Sequence, residues 1–284
     1  MTTSSSLRKR GVTMARRAVN PRGKLPRRGY EHCFIEEEGV HSRLHLHHFY
    51  SMFLPDVNEP VEAHVHAYAA DGKRLGSVSR TLQPLNALVL PMTDVLRELG
   101  ASATLGSVAV DVEPSEAYAR KLVEIGPQNA MAQSPFWMGY YDDGGSVAYV
   151  HSIDQFYGTV FGVGRVANMA YRARSRRSGD WASKRLIDTA GLRRADAYLV
   201  NHSSSAGQTT IRWRAHPDGA TLAEQTVTVH PHGAVRVGVT AADVANASAP
   251  PARLRLEIDG LLTENGKPYV MLRYGDGPFS LHHG

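Results

Sequence analysis

Apolar and polar residues alternate along much of this sequence, a two-residue period typical of strands that bury one face. In the segment 210–215, Ile211 and Trp213 lie on one predicted face, while Arg212 and Arg214 lie on the other. Turn residues, among them Asp-Gly pairs that favour hairpins, separate short segments of this kind. The pattern therefore predicts a mainly β protein with about seven or eight short strands in each half of the chain.

Helical periodicity is limited to two short segments. Residues 92–99 have apolar side chains near helical spacing, with Thr93 as a candidate N-cap and Gly100 as a stop. Residues 114–124 carry a similar but weaker pattern. We therefore expect only a few short helices among the strands.

The two halves of the chain resemble each other in sequence. Residues 61–93 align without gaps on residues 208–240 at an offset of 147, which pairs Asp71-Gly72 with Asp218-Gly219. Further blocks follow in the same order at offsets close to this one, as far as the carboxyl end of each half. This repetition predicts a tandem duplication of one β-sandwich unit, Ig-like or jelly-roll-like.

Repetition and charge together divide the chain into four predicted parts. A disordered basic arm, 1–30, is followed by a first β-sandwich unit, 31–155. A basic connection, 156–194, then leads to a second β-sandwich unit, 195–284. A chain of this length is sufficient to bury two modest cores without disulfides.

Positive charge is concentrated in two segments. The formal net charge is +5, yet residues 1–30 carry +9 and residues 164–194 carry +7, so the rest of the chain carries −11. Basic segments of this kind predict salt-sensitive binding of an anionic partner. Specific nucleic-acid recognition is less favoured, because the aromatic residues that would stack bases are absent from the arm except for Tyr30 at its edge.

The cysteine content and the amino terminus bear on localisation. Cys33 is the sole cysteine, so no intramolecular disulfide forms, and we interpret it as a small buried hydrophobic residue. The sequence contains neither the apolar run of a secretory leader nor a segment that would span a membrane as a helix. We expect a cytoplasmic protein, although a transit peptide and a start at Met14 remain compatible with the sequence.

Histidines alternate with apolar residues on two predicted strands. His45 and His47 share one predicted face, and His64 and His66 share another. If the two strands are neighbours, four imidazoles converge and form a site for one divalent transition metal, which would support hydrolysis or oxygen chemistry. The other interpretation is a half-exposed sheet with solvent-facing histidines and no cofactor. The ungapped alignment supports it, because Trp213 is then the counterpart of His66 and indicates a packed face.

A cluster of aromatic and polar residues forms the second candidate site. Its members, taken as ligand-binding residues, are Trp137, Tyr140, Tyr141, Asp142 and His151. Carboxylate, phenol and imidazole groups this close in sequence would suit general acid and base catalysis. A hairpin at the end of a sandwich has the same composition, and an exposed aromatic platform would bind a saccharide.

The sequence contains no nucleophile elbow, phosphate-binding loop, dinucleotide fingerprint or metalloprotease helix motif. We therefore expect a non-enzymatic binding or scaffolding protein that engages a saccharide, an anionic polymer or a partner protein. The alternative is a metal-dependent enzyme with a histidine-lined site in the first unit or at the junction of the two units.

Overall fold

The computed structural model describes residues 27–37, 39–125, 136–151, 155–161, 179–202, 205–261 and 268–283. Within these ranges the protein is mainly β, with four antiparallel sheets and four short helices. The predicted mainly β class is therefore confirmed. None of the helices in the described ranges is long and apolar enough to cross a membrane.

The first half of the chain contains two sheets. Their strands are β1 (Arg27–Ile35), β2 (His41–His47), β3 (Val61–Ala69), β4 (Arg74–Leu82), β5 (Ala87–Pro91), β6 (Leu105–Glu113), β7 (Phe136–Tyr141), β8 (Val147–His151) and β9 (Gln155–Phe161). Sheet I has the strand order β4-β3-β6-β1-β9, and sheet II has the order β5-β2-β7-β8. All neighbouring strands in both sheets are antiparallel.

The second half also contains two sheets. Their strands are β10 (Gly179–Ala182), β11 (Ile187–Asp188), β12 (Leu192–Val200), β13 (Gly207–His216), β14 (Thr221–Val229), β15 (Ala234–Thr240), β16 (Arg253–Leu261), β17 (Tyr269–Tyr274) and β18 (Phe279–His283). Sheet III has the order β10-β16-β13-β14, with β11 also paired to β16, and sheet IV has the order β15-β12-β17-β18.

The helices are short and lie between strands. They are α1 (Phe49–Phe53), α2 (Met92–Glu98), α3 (Glu116–Ile125) and α4 (Ala241–Ala245). Helix α2 follows Pro91 and has no side-chain cap, so the predicted cap at Thr93 is wrong by two positions. Helix α4 was not predicted. It begins with a capping box between Thr240 and Asp243, which is a sequence signal for the start of a helix.

Two hydrophobic cores hold the sheets together. In the first core, Leu44 and Leu46 of sheet II pack with Val65 and Val110 of sheet I, and the fully buried Cys33 belongs to this core as predicted. The second core joins sheets III and IV around Trp213, which is fully buried and whose indole Nε1 donates to Val237 O at 3.0 Å.

Sheet IV is buried on both faces and connects the two halves. Ala197 and Leu199 of β12 belong to the second core, whereas the alternate residues Tyr198 and Val200 belong to the first. Because successive residues of a strand point to opposite faces, sheet IV lies between sheet III and the first half of the chain. The two halves therefore share an apolar contact.

The predicted basic connection, 156–194, contains strands. Within it, β9 pairs with β1 of sheet I, and β10 and β11 pair with β16 of sheet III. Strand β1 likewise begins at Arg27, inside the predicted arm. Residues 1–26 and 162–178, which contain most of the positive charge assigned to an anionic partner, lie outside the described residues.

Candidate functional site

The outward side chains of sheet II form a surface that we call the aromatic face. Alternation along each strand turns every second residue away from the first core. The outward positions are Ala87, Val89 and Pro91 of β5, His41, Arg43, His45 and His47 of β2, Trp137, Gly139 and Tyr141 of β7, and Val147, Tyr149 and His151 of β8.

Strand pairing arranges these side chains in rows across the sheet. In one row, His45 pairs with Val89 on one side and Trp137 on the other, and Trp137 pairs with His151. Two further rows consist of Pro91, Arg43, Gly139 and Tyr149, and of His41, Tyr141 and Val147. Residues far apart in sequence thus become neighbours on one surface.

The aromatic face exposes large apolar side chains to solvent. Val89 is 45% exposed, Trp137 41%, Val147 44% and Tyr149 50%. Single exposed apolar residues are common, but a group of them on one face marks a binding surface. Trp137 also contacts the ring of His151 edge-on, with a centroid distance of 5.3 Å.

Hydrogen bonds connect the rings at the centre of this face. His45 Nε2 lies 2.9 Å from the hydroxyl of Tyr141, and that hydroxyl lies 2.7 Å from the hydroxyl of Tyr149. The guanidinium of Arg43 lies over the Tyr141 ring, 4.1 Å from its centroid. Burial and the bond with Tyr149 raise the pKa of Tyr141 to about 12, so its phenol is neutral at physiological pH.

Gly139 provides the space in which these rings meet. A Cβ added to Gly139 would lie 2.8 Å from Tyr141 Cε2 and 3.0 Å from both His45 Nε2 and Tyr149 Cε1. The three rings therefore occupy the volume that a side chain at position 139 would need. The absence of a side chain at this one position is thus a condition for the ring cluster.

Two predicted ligand-binding residues do not belong to the aromatic face. Tyr140 is fully buried, and its hydroxyl donates to Cys33 O at 2.7 Å and lies 2.9 Å from His32 Nδ1. Tyr140 does not share the face of Tyr141, because adjacent strand residues point to opposite faces. Asp142 lies in the hairpin turn between β7 and β8, where its carboxylate accepts a bond from Ser146 N at 2.7 Å. Trp137, Tyr141 and His151 do share the face.

The structure does not bring together the four predicted metal ligands. His45 and His47 lie on β2 of sheet II, whereas His64 and His66 lie on β3 of sheet I. His64 Nδ1 is 2.9 Å from Ser79 Oγ, and His66 bonds in the same way to the neighbouring strand. The expected convergence required β2 and β3 to be neighbours, and alternation alone carries no information about strand order. Among the described residues, no group of three or more potential ligands is placed to hold a metal.

A buried polar cluster at the contact between the two halves was not predicted. Glu31 of β1 is fully buried, and its carboxylate lies 2.9 Å from His232 Nδ1 and 3.5 Å from His202 Nδ1. Ser107 Oγ donates to the same carboxylate, and the ring of Tyr68 stacks on His232 at 4.2 Å. Burial raises the pKa of Glu31, but the positive charge of His232 and hydrogen bonds with both histidines outweigh it and lower that pKa to about 2.

Two concave regions lie beside the aromatic face. One, of about 580 Å³, lies between the halves. The turn between β7 and β8 lines it with Asp143, and the turn between β17 and β18 lines it with Asp276. A smaller pocket, of about 330 Å³, is lined by Arg43, Tyr141 and Asp143. Residues of the face thus extend into a concave region at its hairpin end.

Comparisons with known proteins give little guidance. No family model and no curated protein matches this chain. Among solved structures, a glycosyl hydrolase family 2 member from Bacteroides cellulosilyticus is 11% identical, with a TM-score of 0.20 over 90% of this chain and 27% of its own. A candidate β-galactosidase from Bacteroides fragilis is 11% identical, with a TM-score of 0.18 over 90% of this chain and 32% of its own. The chain spans about a third or less of these proteins. Similarity at this level supports no conclusion about fold or function.

Proposed function

We propose that this protein is a non-enzymatic binding protein that holds a saccharide on the aromatic face. The observation that carries the proposal is the ring cluster over Gly139, in which Tyr141, Tyr149 and His45 are joined by hydrogen bonds beside the exposed Trp137. A saccharide presents apolar C–H surfaces together with many hydroxyl groups. Aromatic rings with polar edges match both features, because each ring offers an apolar surface and a hydrogen-bonding group.

The side chains of this cluster are held in place before a ligand arrives. Mutual bonds fix the rings of Tyr141, Tyr149 and His45, and stacking fixes the guanidinium of Arg43. Fixing side chains in advance reduces the entropy that binding costs. The face is therefore suited to a ligand that binds a fixed surface.

We also propose that the two halves repeat one sandwich unit. The order β4-β3-β6-β1 in sheet I has its counterpart in β14-β13-β16-β10 of sheet III. The order β5-β2-β7-β8 in sheet II has its counterpart in β15-β12-β17-β18 of sheet IV. Matching orders in both pairs of sheets support the duplication that the sequence blocks predict.

This correspondence favours a second candidate function, the docking of a protein on the aromatic face. Strand pairing makes Tyr198 the counterpart of His45 and Tyr269 the counterpart of Trp137. In the second half these residues are buried in the core of the first half. The same face of the repeated unit therefore binds protein within this chain.

Differences between the two faces support the saccharide over the protein. Where sheet IV has Met271 and Leu281, the aromatic face has Gly139 and Tyr149 at the matching paired positions. Bulky aliphatic side chains thus give way to a glycine and a phenol with a polar edge. Such replacements reduce the apolar surface that drives protein docking and add hydrogen-bonding groups.

Retardation in native gels containing soluble polysaccharides tests the proposal. The panel contains hydroxyethyl cellulose, galactomannan, xylan and polygalacturonate, and the full chain is compared with Trp137→Ala. Phe53→Ala is the matched control, because Phe53 is 39% exposed but lies on α1. We expect a polysaccharide to retard the native chain and Phe53→Ala but not Trp137→Ala.

Retardation by none of the panel, or equal retardation of all three proteins, contradicts the proposal. Self-association in sedimentation velocity that Trp137→Ala abolishes would favour protein docking instead.

A further inference from the structure

The charges of the aromatic face are of one sign. Its outward positions on β2, β5, β7 and β8 carry the guanidinium of Arg43 and four imidazoles, and none of these described positions is Asp or Glu. The four histidines are His41, His45, His47 and His151. Two carboxylates lie at one end of the face, where Glu36 Oε2 is 3.3 Å from His41 Nδ1 and Asp143 Oδ1 is 3.6 Å from His41 Nε2.

Most described arginines on the other sheets are paired with carboxylates. On sheet III, Arg212 contacts both Glu224 and Asp259, and Arg214 Nε lies 2.8 Å from Glu257 Oε2. Arg43 is one of the exceptions: among the described residues it makes no ion pair, and its guanidinium contacts the ring of Tyr141. Exposed cations of this protein thus tend to have an acidic neighbour, and the one on the aromatic face does not.

We propose that the saccharide bound by the aromatic face is an acidic polysaccharide whose sugar units carry carboxylates, and that Arg43 binds one of these carboxylates. The inference rests on the proposed function, since it concerns the same face. The guanidinium lies 4.1 Å from the centroid of the Tyr141 ring, and a guanidinium placed on a ring face keeps its N–H edge available to a further partner. That edge matches a carboxylate with two parallel hydrogen bonds.

The position of Arg43 among the rings suits a sugar acid. Arg43 and Gly139 are paired in the central row of the sheet, between the row of Trp137 and the row of Tyr141. Successive outward residues of a strand are about 7 Å apart. A sugar ring lying on Trp137 or Tyr149 therefore places its substituents within reach of the Arg43 side chain.

A pair of polymers that differ only in charge tests this inference. Polygalacturonate and its fully methyl-esterified form share a backbone, but only the first carries carboxylates. Binding of each to the full chain is measured by isothermal titration calorimetry at low and at physiological salt. We expect the carboxylate form to bind about tenfold more tightly, as one charge-assisted bidentate contact allows, and the difference to shrink as salt rises.

Three variants test whether Arg43 causes this preference for the carboxylate form. In Arg43→Gln the preference for the carboxylate form falls to about twofold or less, and in Arg43→Lys it is intermediate because the charge remains without the planar fork. Arg253→Gln is the matched control, since Arg253 is an exposed arginine on sheet III that pairs with Asp188. The basic residues 1–30 are unchanged in each variant, so they cannot account for a difference between them.

The outcomes separate this inference from the proposed function. Equal binding of the two polymers, abolished by Trp137→Ala, overturns the acidic ligand and leaves saccharide binding in place. No binding of any saccharide overturns both. Equal weakening by Arg43→Gln and Arg253→Gln, or equally tight binding of inorganic polyphosphate, shows attraction to any polyanion and overturns the assignment of Arg43.

Discussion

Tyr141 closes over Gly139, so that a Cβ at position 139 would lie 2.8 Å from Tyr141 Cε2. The two residues are next-but-one neighbours on β7 and point to the same side of sheet II. The Tyr141 ring therefore occupies space that a side chain at position 139 would need. The shape of the aromatic face thus depends on one glycine.

Replacing Gly139 with alanine should therefore disrupt the face without unfolding the protein. The added methyl group displaces the rings of Tyr141, His45 and Tyr149, and these can move outward into solvent. We expect about tenfold weaker polysaccharide binding with an unchanged far-ultraviolet circular dichroism spectrum. Gly144→Ala is the control, because its Cβ would meet only Asp142 Oδ1 at an ordinary 3.4 Å. Unchanged binding by Gly139→Ala would show that the ring cluster is not the binding surface.

The adjacent tyrosines of β7 should respond in opposite ways to loss of their hydroxyl groups. Tyr140→Phe removes a buried hydroxyl that bonds to Cys33 O, and should lower the free energy of unfolding by about 1–3 kcal/mol with little effect on binding. Tyr141→Phe removes the bridge between His45 and Tyr149, and should weaken binding with little loss of stability. Urea denaturation and titration calorimetry on both variants test this; the reverse assignment would contradict the placement of the two side chains.

Local periodicity can indicate which residues of a strand share a face, but it cannot predict which strands are neighbours. Trp137 and Tyr141 share a face because a strand has a two-residue period, and this was legible in the sequence. The exposed Tyr149 and the glycine beneath the rings became significant only when β8 and β2 were placed beside β7. Because the sequence does not give strand order, it also led us to expect one metal site from four histidines that lie on two different sheets.

The ungapped alignment of the halves also missed a one-residue difference. It paired His66 with Trp213, whereas under the proposed repeat strand pairing places Trp213 in the position of Ala67, since each is the last residue before a register shift. After that shift, Tyr68 pairs with Arg74 whereas Arg214 pairs with Thr221, so the second hairpin is one residue longer. A shift of one residue exchanges the faces of a strand, so under this pairing Trp213 does not indicate a packed face at the position of His66.

Glu31 should stabilise the contact between the halves in a pH-dependent way. Its pKa is about 2 in the folded protein, below the ordinary value of 4.5, because His232 and His202 outweigh the effect of burial. A lowered carboxyl pKa contributes stability that is present above the ordinary value and is lost as the pH falls towards the folded value. The shift corresponds to about 3 kcal/mol at neutral pH.

Glu31→Gln tests this contribution. We expect the free energy of unfolding to fall by roughly 3 kcal/mol at pH 7, and the difference from the native chain to shrink to about half or less at pH 3. Glu62→Gln is the control, because Glu62 is exposed on β3 and should change stability by no more than about 0.5 kcal/mol. A difference that stays constant between pH 7 and pH 3 would show that Glu31 acts through its shape and not its charge.

The affinity of the aromatic face for polygalacturonate should rise as the pH falls from 8 to 5. Over this range the polymer's carboxylates and Arg43 stay charged, so a change in affinity with pH must come from imidazole. Burial, Arg43 and His47 lower the pKa of His45, so that its imidazole becomes charged only below the ordinary range. The other groups facing it are the phenols of Tyr141 and Tyr149. A bound carboxylate opposes this lowering, and binding therefore takes up protons.

His45→Gln should reduce the pH dependence in titration calorimetry, while the methyl-esterified polymer should show little of it. An affinity that is flat with pH, or that rises towards pH 8, would exclude the histidines of this face from ligand binding.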